Sequence, residues 1–211
     1  MVAVTFASVK RVLCLGAHSD DIEIGCGGTL LKLAQERPDM EVTWVVFSGE
    51  GKRRGEARRS AETFLTGFKR AKIITKEFRA SFFPYQGEKI KAFFETLKYV
   101  EPDLVFTHYR CDRHQDHRVL SDLAWNTWRN HFILEYEIPK FDGDLGVPNV
   151  FVPLDQSFCD KKVEYLCRFF QTQGNKHWFA PETFFGLMRL RGMESASTHA
   201  EAFYVRKLIF R

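Results

Sequence analysis

The chain has 211 residues, 45% hydrophobic, 27% charged and 15% aromatic, and 31 Lys and Arg against 27 Asp and Glu leave a net charge of +4. That balance excludes a disordered or fibrous chain, and no run approaches the ~18 consecutive apolar residues of a membrane-spanning helix. So small a charge excess also points away from nucleic acid, which needs its cations concentrated on one face.

In chain order, residues 1–7 form too short an apolar stretch, with no cationic segment before it, for a secretory signal. Residues 11–17 read as a buried strand, and 28–37 as a helix ended by Pro38. Residues 42–48 read as a second strand, 55–67 as a helix with Gly67 near its C-cap, and 72–75 as a third strand. A loop around Pro84 leads to a helix over 87–100, then a strand over 104–108 and a helix over 115–130. Beyond these, 131–138 and 149–153 suggest strands, 155–173 a helix and 202–210 a final strand. Strands alternating with helices of ten to fifteen residues predict a mostly parallel, three-layer α/β sheet, here one domain over 1–211. Ligands of such sheets bind along the edge where the parallel strands end.

Two polar clusters leave that edge. Strand 11–17 runs into Ala17-His18-Ser19-Asp20-Asp21-Ile22-Glu23 and then Gly25-Cys26-Gly27-Gly28; strand 104–108 runs into Asp112-Arg113-His114-Gln115-Asp116-His117. Two imidazoles and a carboxylate converging with an open position make a common catalytic site for zinc or ferrous iron. Of the adjacent Asp20 and Asp21, one can bind a metal while the other faces its water. Taken singly the residues read more blandly, Asp20 or Asp21 as a helix N-cap and a lone histidine as a partner for a backbone carbonyl. The glycines do not make a dinucleotide fingerprint. No third glycine stands at the required spacing, the pattern does not follow the strand directly, and Asp20, Asp21 and Glu23 would repel a pyrophosphate. They are expected to let the helix start pack closely.

Ala17-His18-Ser19-Asp20-Asp21-Ile22-Glu23 with Gly27-Gly28, and His114-Gln115-Asp116-His117, resemble the two signatures of the PIG-L/LmbE-like zinc deacetylases. Arg59-Ser60-Ala61-Glu62 resembles that family's Arg-x-x-Glu helix, and Ala200-Glu201-Ala202-Phe203 its C-terminal stretch. The resemblance implies a Rossmann-like α/β/α sandwich and removal of acetyl groups from N-acetylglucosamine units. It further implies zinc on His18, Asp21 and His117, and Asp20 as general base; for such a donor set ferrous iron or another divalent metal is the alternative. His114 would meet the oxyanion or protonate the leaving amine, Asp116 would orient an imidazole, and Arg59 would hold a sugar hydroxyl or phosphate. Ser19 and Gln115 stand where proline is common, and Ala80 stands near a position where many relatives carry an acid that grips sugar hydroxyls.

Lys52, Arg53, Arg54, Arg58 and Arg59 crowd five cations into eight residues. Lys52 and Arg53 are expected in solvent, whereas Arg54 and Arg59 are expected to grip an anionic part of the substrate, with Glu62 fixing Arg59. His108 is a candidate support for a ligand, since it ends the strand that carries the site. Five cysteines without a Cys-x-x-Cys fit reduced thiols in a cytoplasm. The expected partner is a small N-acetylated amino sugar or glycoconjugate, with an anionic group as an option; nucleic acid and membrane are not expected, and a homo-oligomer stays open. The alternative is a non-catalytic sugar- or nucleotide-sugar-binding protein of the same fold.

Overall fold

The computed structural model of the chain describes residues 5–209. Continuous apolar runs need cover on both faces, and β1 (Arg11–Gly16) is such a run, buried from Val12 onward. It is followed by α1 (Asp21–Glu36), β2 (Glu41–Val46), α2 (Lys52–Phe64), β3 (Arg70–Thr75), α3 (Gly87–Thr96), β4 (Leu104–His108) and α4 (Gln115–Thr127). The chain continues through β5 (Phe132–Tyr136), β6 (Val150–Leu154), α5 (Gln156–Phe169), α6 (Pro181–Glu194) and β7 (His199–Tyr204). The seven strands form one sheet in the order β3-β2-β1-β4-β5-β7-β6. β3, β2, β1, β4 and β5 are mutually parallel; β7 runs antiparallel between β5 and β6.

The architecture is a Rossmann-like three-layer sandwich. On one face α1, α2, α5 and α6 pack Ile22, Leu30, Phe64, Leu166 and Met188 over the sheet, and on the other α3 and α4 supply Ile90, Phe94 and Leu120. From β1 the chain steps outward to β2 and β3, then returns to place β4 on the opposite side of β1. At such a reversal the two neighbouring loops splay apart and leave a crevice at the strand ends. Both polar clusters emerge there.

Several boundaries differ from expectation. α1 begins at Asp21, seven residues before the predicted helix, because its first turns carry acids and glycines rather than an apolar stripe. The helix predicted over 155–173 ends at Phe169 and continues as a short 3-10 turn at Gln171–Gln173. α6 has no counterpart among the predicted elements: Phe184, Phe185, Leu187, Met188, Leu190 and Met193 lie all round it, so no stripe marks it in sequence. The last strand is His199–Tyr204 rather than 202–210; residue 210, like residues 1–4 of the N-terminal stretch, lies outside the described residues. Among the described residues no helix is long and apolar enough to cross a membrane.

Candidate metal centre

His18 lies in the turn after β1, Asp21 opens α1, and His117 lies in the first turn of α4, reached from the end of β4. The fold brings all three together. His18 Nδ1 is 3.1 Å from His117 Nε2 and 3.3 Å from Asp21 Oδ2, and Asp21 Oδ1 is 3.6 Å from His117 Nε2. Donors placed ~2.0–2.1 Å from a tetrahedral zinc ion lie about 3.3 Å from one another, so this spacing suits a shared cation.

The far side of each ring decides the protonation. His117 Nδ1 is 2.9 Å from Asp112 Oδ2, and His18 Nε2 is 3.1 Å from Asp116 Oδ2. A carboxylate can only accept, so each of those nitrogens carries the hydrogen when the ring is neutral. The lone pairs of His18 Nδ1 and His117 Nε2 then face each other beside the Asp21 carboxylate. Only a positive charge between them makes that arrangement favourable. In its absence a proton takes the place: burial disfavours a charged His18, but Asp21 and Asp116 outweigh it and its pKa is pushed up to about 9. Burial and the neighbouring His108 push His117 down to about 3. The donor set therefore fits a divalent metal, with carboxylates behind both imidazoles.

The remaining candidates surround this cluster. Asp20 takes the N-cap position of α1, yet its side chain makes no cap hydrogen bond, so the bland reading of this residue fails. It is buried, and burial together with Asp21 raises its pKa. His114 is the N-cap of α4, its Nδ1 accepting the Asp116 N–H at 3.2 Å, with its ring 4.7 Å from His18 and 4.6 Å from His117. Asp116 also accepts the N–H groups of Ser81 (2.6 Å) and Phe83 (3.1 Å), which ties the loop carrying Ala80 to the site. His108 Nε2 accepts the Ala17 N–H at 3.0 Å and lies 3.2 Å from Asp21 Oδ2, and its ring stacks on His117 at 3.9 Å, so with Asp21 and His117 it makes a second donor group that could hold a metal, beside His18, His114 and His117. Asp112 is one polar residue among the six of the second cluster, and no local signal in the sequence marks it as the partner of His117.

Two arginines are not where they were expected. Arg54 is exposed and paired with Glu77 at 2.6 Å; Arg59 is exposed on α2, and Glu62 pairs with Arg58 at 2.9 Å instead. Arg53, assigned to solvent, is the one that turns inward: its Nε donates to Ser19 Oγ at 3.2 Å and its Nη2 lies 3.5 Å from Asp20 Oδ1.

The profile of the PIG-L family, described as GlcNAc-PI de-N-acetylase, matches residues 13–128. The chain belongs to the PIG-L family. It is 31% identical over 141 residues to the uncharacterized deacetylase YaiS of Escherichia coli (strain K12), a match spanning 62% of this chain and 75% of YaiS. Its fold is similar to that of the N,N'-diacetylchitobiose deacetylase from Pyrococcus horikoshii, with a TM-score of 0.76 and 24% identity over 95% of this chain and 85% of that one. A 4-carboxy-2-hydroxymuconate hydratase from Pseudomonas putida has the same architecture, with a TM-score of 0.74 and 17% identity over 96% of this chain and 97% of that one. The reaction is therefore a matter for the site, not the architecture.

Within α2 of this PIG-L chain the Arg-x-x-Glu spacing occurs twice, at Arg59/Glu62 and at Arg53/Glu56. The upstream copy faces inward: beside Arg53, the buried Glu56 accepts from Thr172 N and Oγ1 at 3.0 and 2.5 Å. The C-terminal Ala-Glu-x-Phe stretch has a structural task. α1 is kinked at Cys26 (φ −143°), which frees the N–H groups of Gly28 and Thr29; Glu201 accepts both, at 2.8 and 2.6 Å. Lys162 Nζ completes the repair by donating to Glu201 Oε1 (2.7 Å) and to the freed Ile24 carbonyl (2.6 Å). Gly25 permits close packing, since a Cβ there would stand 2.2 Å from the Tyr136 ring.

Proposed function

We propose that this chain is a single-domain, metal-dependent N-deacetylase that hydrolyses the acetamide of an N-acetylated amino sugar or its conjugate. The observation that carries this reading is the pair of imidazole lone pairs converging beside Asp21, with a buried carboxylate, Asp20, that caps no helix N–H and is paired with Arg53, next to it. His18, Asp21 and His117 would hold a divalent ion, zinc with ferrous iron as the alternative, which would supply Lewis acidity and lower the pKa of a water from 15.7 to about 7.

This chain's own groups do the rest. Asp20 accepts the proton of the attacking water, a role for which its raised pKa and its freedom from the helix cap suit it. Arg53 holds Asp20 in place from one side and leaves guanidinium N–H groups for a substrate oxygen. Because His114 Nδ1 accepts a backbone N–H, the neutral ring carries its proton on Nε2. That proton meets the oxyanion or passes to the leaving nitrogen as the C–N bond breaks, releasing acetate and a free amine. Asp112 and Asp116 fix the ring orientation of His117 and His18. The family match and the diacetylchitobiose deacetylase fold support the substrate class. Five free cysteines, Cys111 exposed among them, support a cytoplasmic location.

Zinc-loaded and iron-loaded protein, each incubated with a panel of N-acetylated amino sugars, tests the reading through released acetate and amine. We expect equal amounts of both, abolished by a chelator and restored by metal. Fully loaded protein that releases no amine from any sugar would overturn it.

A further inference from the structure

The connection between β3 and α3, residues 76–86, supplies no ligand, yet its backbone reaches into the metal centre. Asp116, fully buried, is the junction. Its Oδ2 accepts the Ser81 N–H at 2.6 Å and stands 3.1 Å from His18 Nε2, and its Oδ1 accepts the Phe83 N–H at 3.1 Å. Donors from three directions hold the carboxylate in one orientation, which sets where it receives the His18 hydrogen. The direction of His18 Nδ1, on the other side of the ring, follows from that.

The loop does not take this shape unaided. Ser81 has φ +65°, in the left-handed region that a residue with a Cβ disfavours. Two successive residues at the start of α4 grip it from both sides: Asp116 takes its N–H, and the Gln115 side-chain amide donates to its carbonyl. Gln115 is the first residue of α4, a position at which a helix asks for no side-chain donor and proline serves as well. Its amide is therefore free for the loop. The flanks of Ser81 are anchored separately. Gln86 donates to the Arg79 carbonyl at 3.0 Å and accepts the Arg79 N–H at 3.3 Å, and Phe83 is fully buried with its ring 6.2 Å from that of His18. With both flanks fixed, the conformational choice lies at Ser81, and Gln115 decides it.

We infer that Gln115 is a positioning residue for the metal ligand His18, acting through Ser81 and Asp116. Without its amide, Ser81 returns to an ordinary φ, turns its N–H away from Asp116 Oδ2 and leaves the carboxylate free to rotate beside His18. The cation is then bound less tightly, because the ring has to be ordered on binding instead of standing in place beforehand. Such coupling is reciprocal: the metal steadies the loop by the factor by which the loop tightens the metal. The inference rests on the reading that His18 holds the metal, and not on the reaction performed there.

Chelator competition for zinc, beside hydrogen exchange of the Ser81 and Phe83 amides, tests it on the purified full chain. Gln115→Ala should weaken zinc binding about three- to tenfold, the factor one net hydrogen bond supplies, and should speed exchange of both amides. Zinc should slow that exchange again. Adding Ser81→Gly should restore most of the affinity, since glycine occupies the left-handed region without a Cβ clash. Gln115→Glu keeps the shape but loses the donor, so it should bind zinc more weakly than wild type, whereas its negative charge alone would tighten binding. Wild-type affinity or exchange in Gln115→Ala, a loss that Ser81→Gly does not repair, or tighter zinc in Gln115→Glu would each overturn the inference. His18→Ala separates it from the reading beneath. Wild-type affinity in that variant would remove His18 from the ligands and the positioning role with it, whereas a loss in His18→Ala without one in Gln115→Ala would overturn the positioning role alone.

Discussion

His18 Nδ1 and His117 Nε2 face each other at 3.1 Å, and each ring has its other nitrogen committed to a carboxylate, Asp116 for one and Asp112 for the other. Two buried neutral imidazoles so arranged present lone pair to lone pair. A cation, whether a proton or a metal, resolves the conflict. This relationship ties the two sequence clusters, 99 residues apart, into one centre.

A first consequence concerns protons. His18 titrates at about 9 without metal, so at pH 7 it holds a proton that a metal must displace, whereas His117, at about 3, is already neutral. Metal binding at pH 7 should therefore release about one proton from His18, and affinity should rise about tenfold per pH unit until pH 9, then level off. Calorimetry in buffers of different ionisation enthalpy reads the number directly. Release near zero at pH 7 would show that the metal does not use His18 Nδ1.

The carboxylates behind the ligands should matter nearly as much as the ligands. Asp112→Ala removes the acceptor that keeps the His117 hydrogen on Nδ1, and should weaken metal binding about 10–100-fold, as such supporting substitutions do elsewhere. Chelator competition measures it. Unchanged affinity would mean that Asp112 serves its contacts with Lys140 and the His114 N–H rather than the metal centre.

Glu201 should prove structural. Glu201→Ala strands the N–H groups of Gly28 and Thr29 and leaves the buried Lys162 ammonium without its carboxylate. Breaking one side of a buried pair costs about 3–5 kcal/mol. At about 2–4 °C per kcal/mol, the melting temperature should fall by roughly 10 °C. A loss below about 1 kcal/mol would place the support of the α1 kink elsewhere.

Arg53 and Arg59 should separate cleanly. Arg53→Ala removes the cation beside Asp20, and kcat/KM should fall by at least about tenfold, the loss of one charge-assisted contact. Arg59→Ala should change it less than twofold. Equal losses would restore the substrate role that the downstream Arg-x-x-Glu pair suggested.

What the sequence made legible follows from how local each signal is. β1 and β4 are largely apolar runs ending in dense polar clusters, so the strands and the edge from which the candidate metal site emerges can be read from short stretches. The choice between Arg53 and Arg59 is different. Both satisfy the same spacing, and which one faces inward depends on where α2 begins; Gly51, with φ +55°, starts it at Lys52, earlier than its apolar residues suggest. Asp112 is one polar residue among six until the loop conformation sets it against His117. α6 carries apolar residues on every side, so its periodicity is silent even though the helix is 14 residues long.

Elemental analysis of the purified wild type beside His18→Ala, His117→Ala and Asp20→Asn tests the metal centre most directly. We expect one divalent ion per chain in the wild type and in Asp20→Asn, the latter with kcat lower by ~10²–10⁴-fold as for loss of a general base. His18→Ala and His117→Ala should each lose the ion. Full occupancy in both alanine variants would contradict the account.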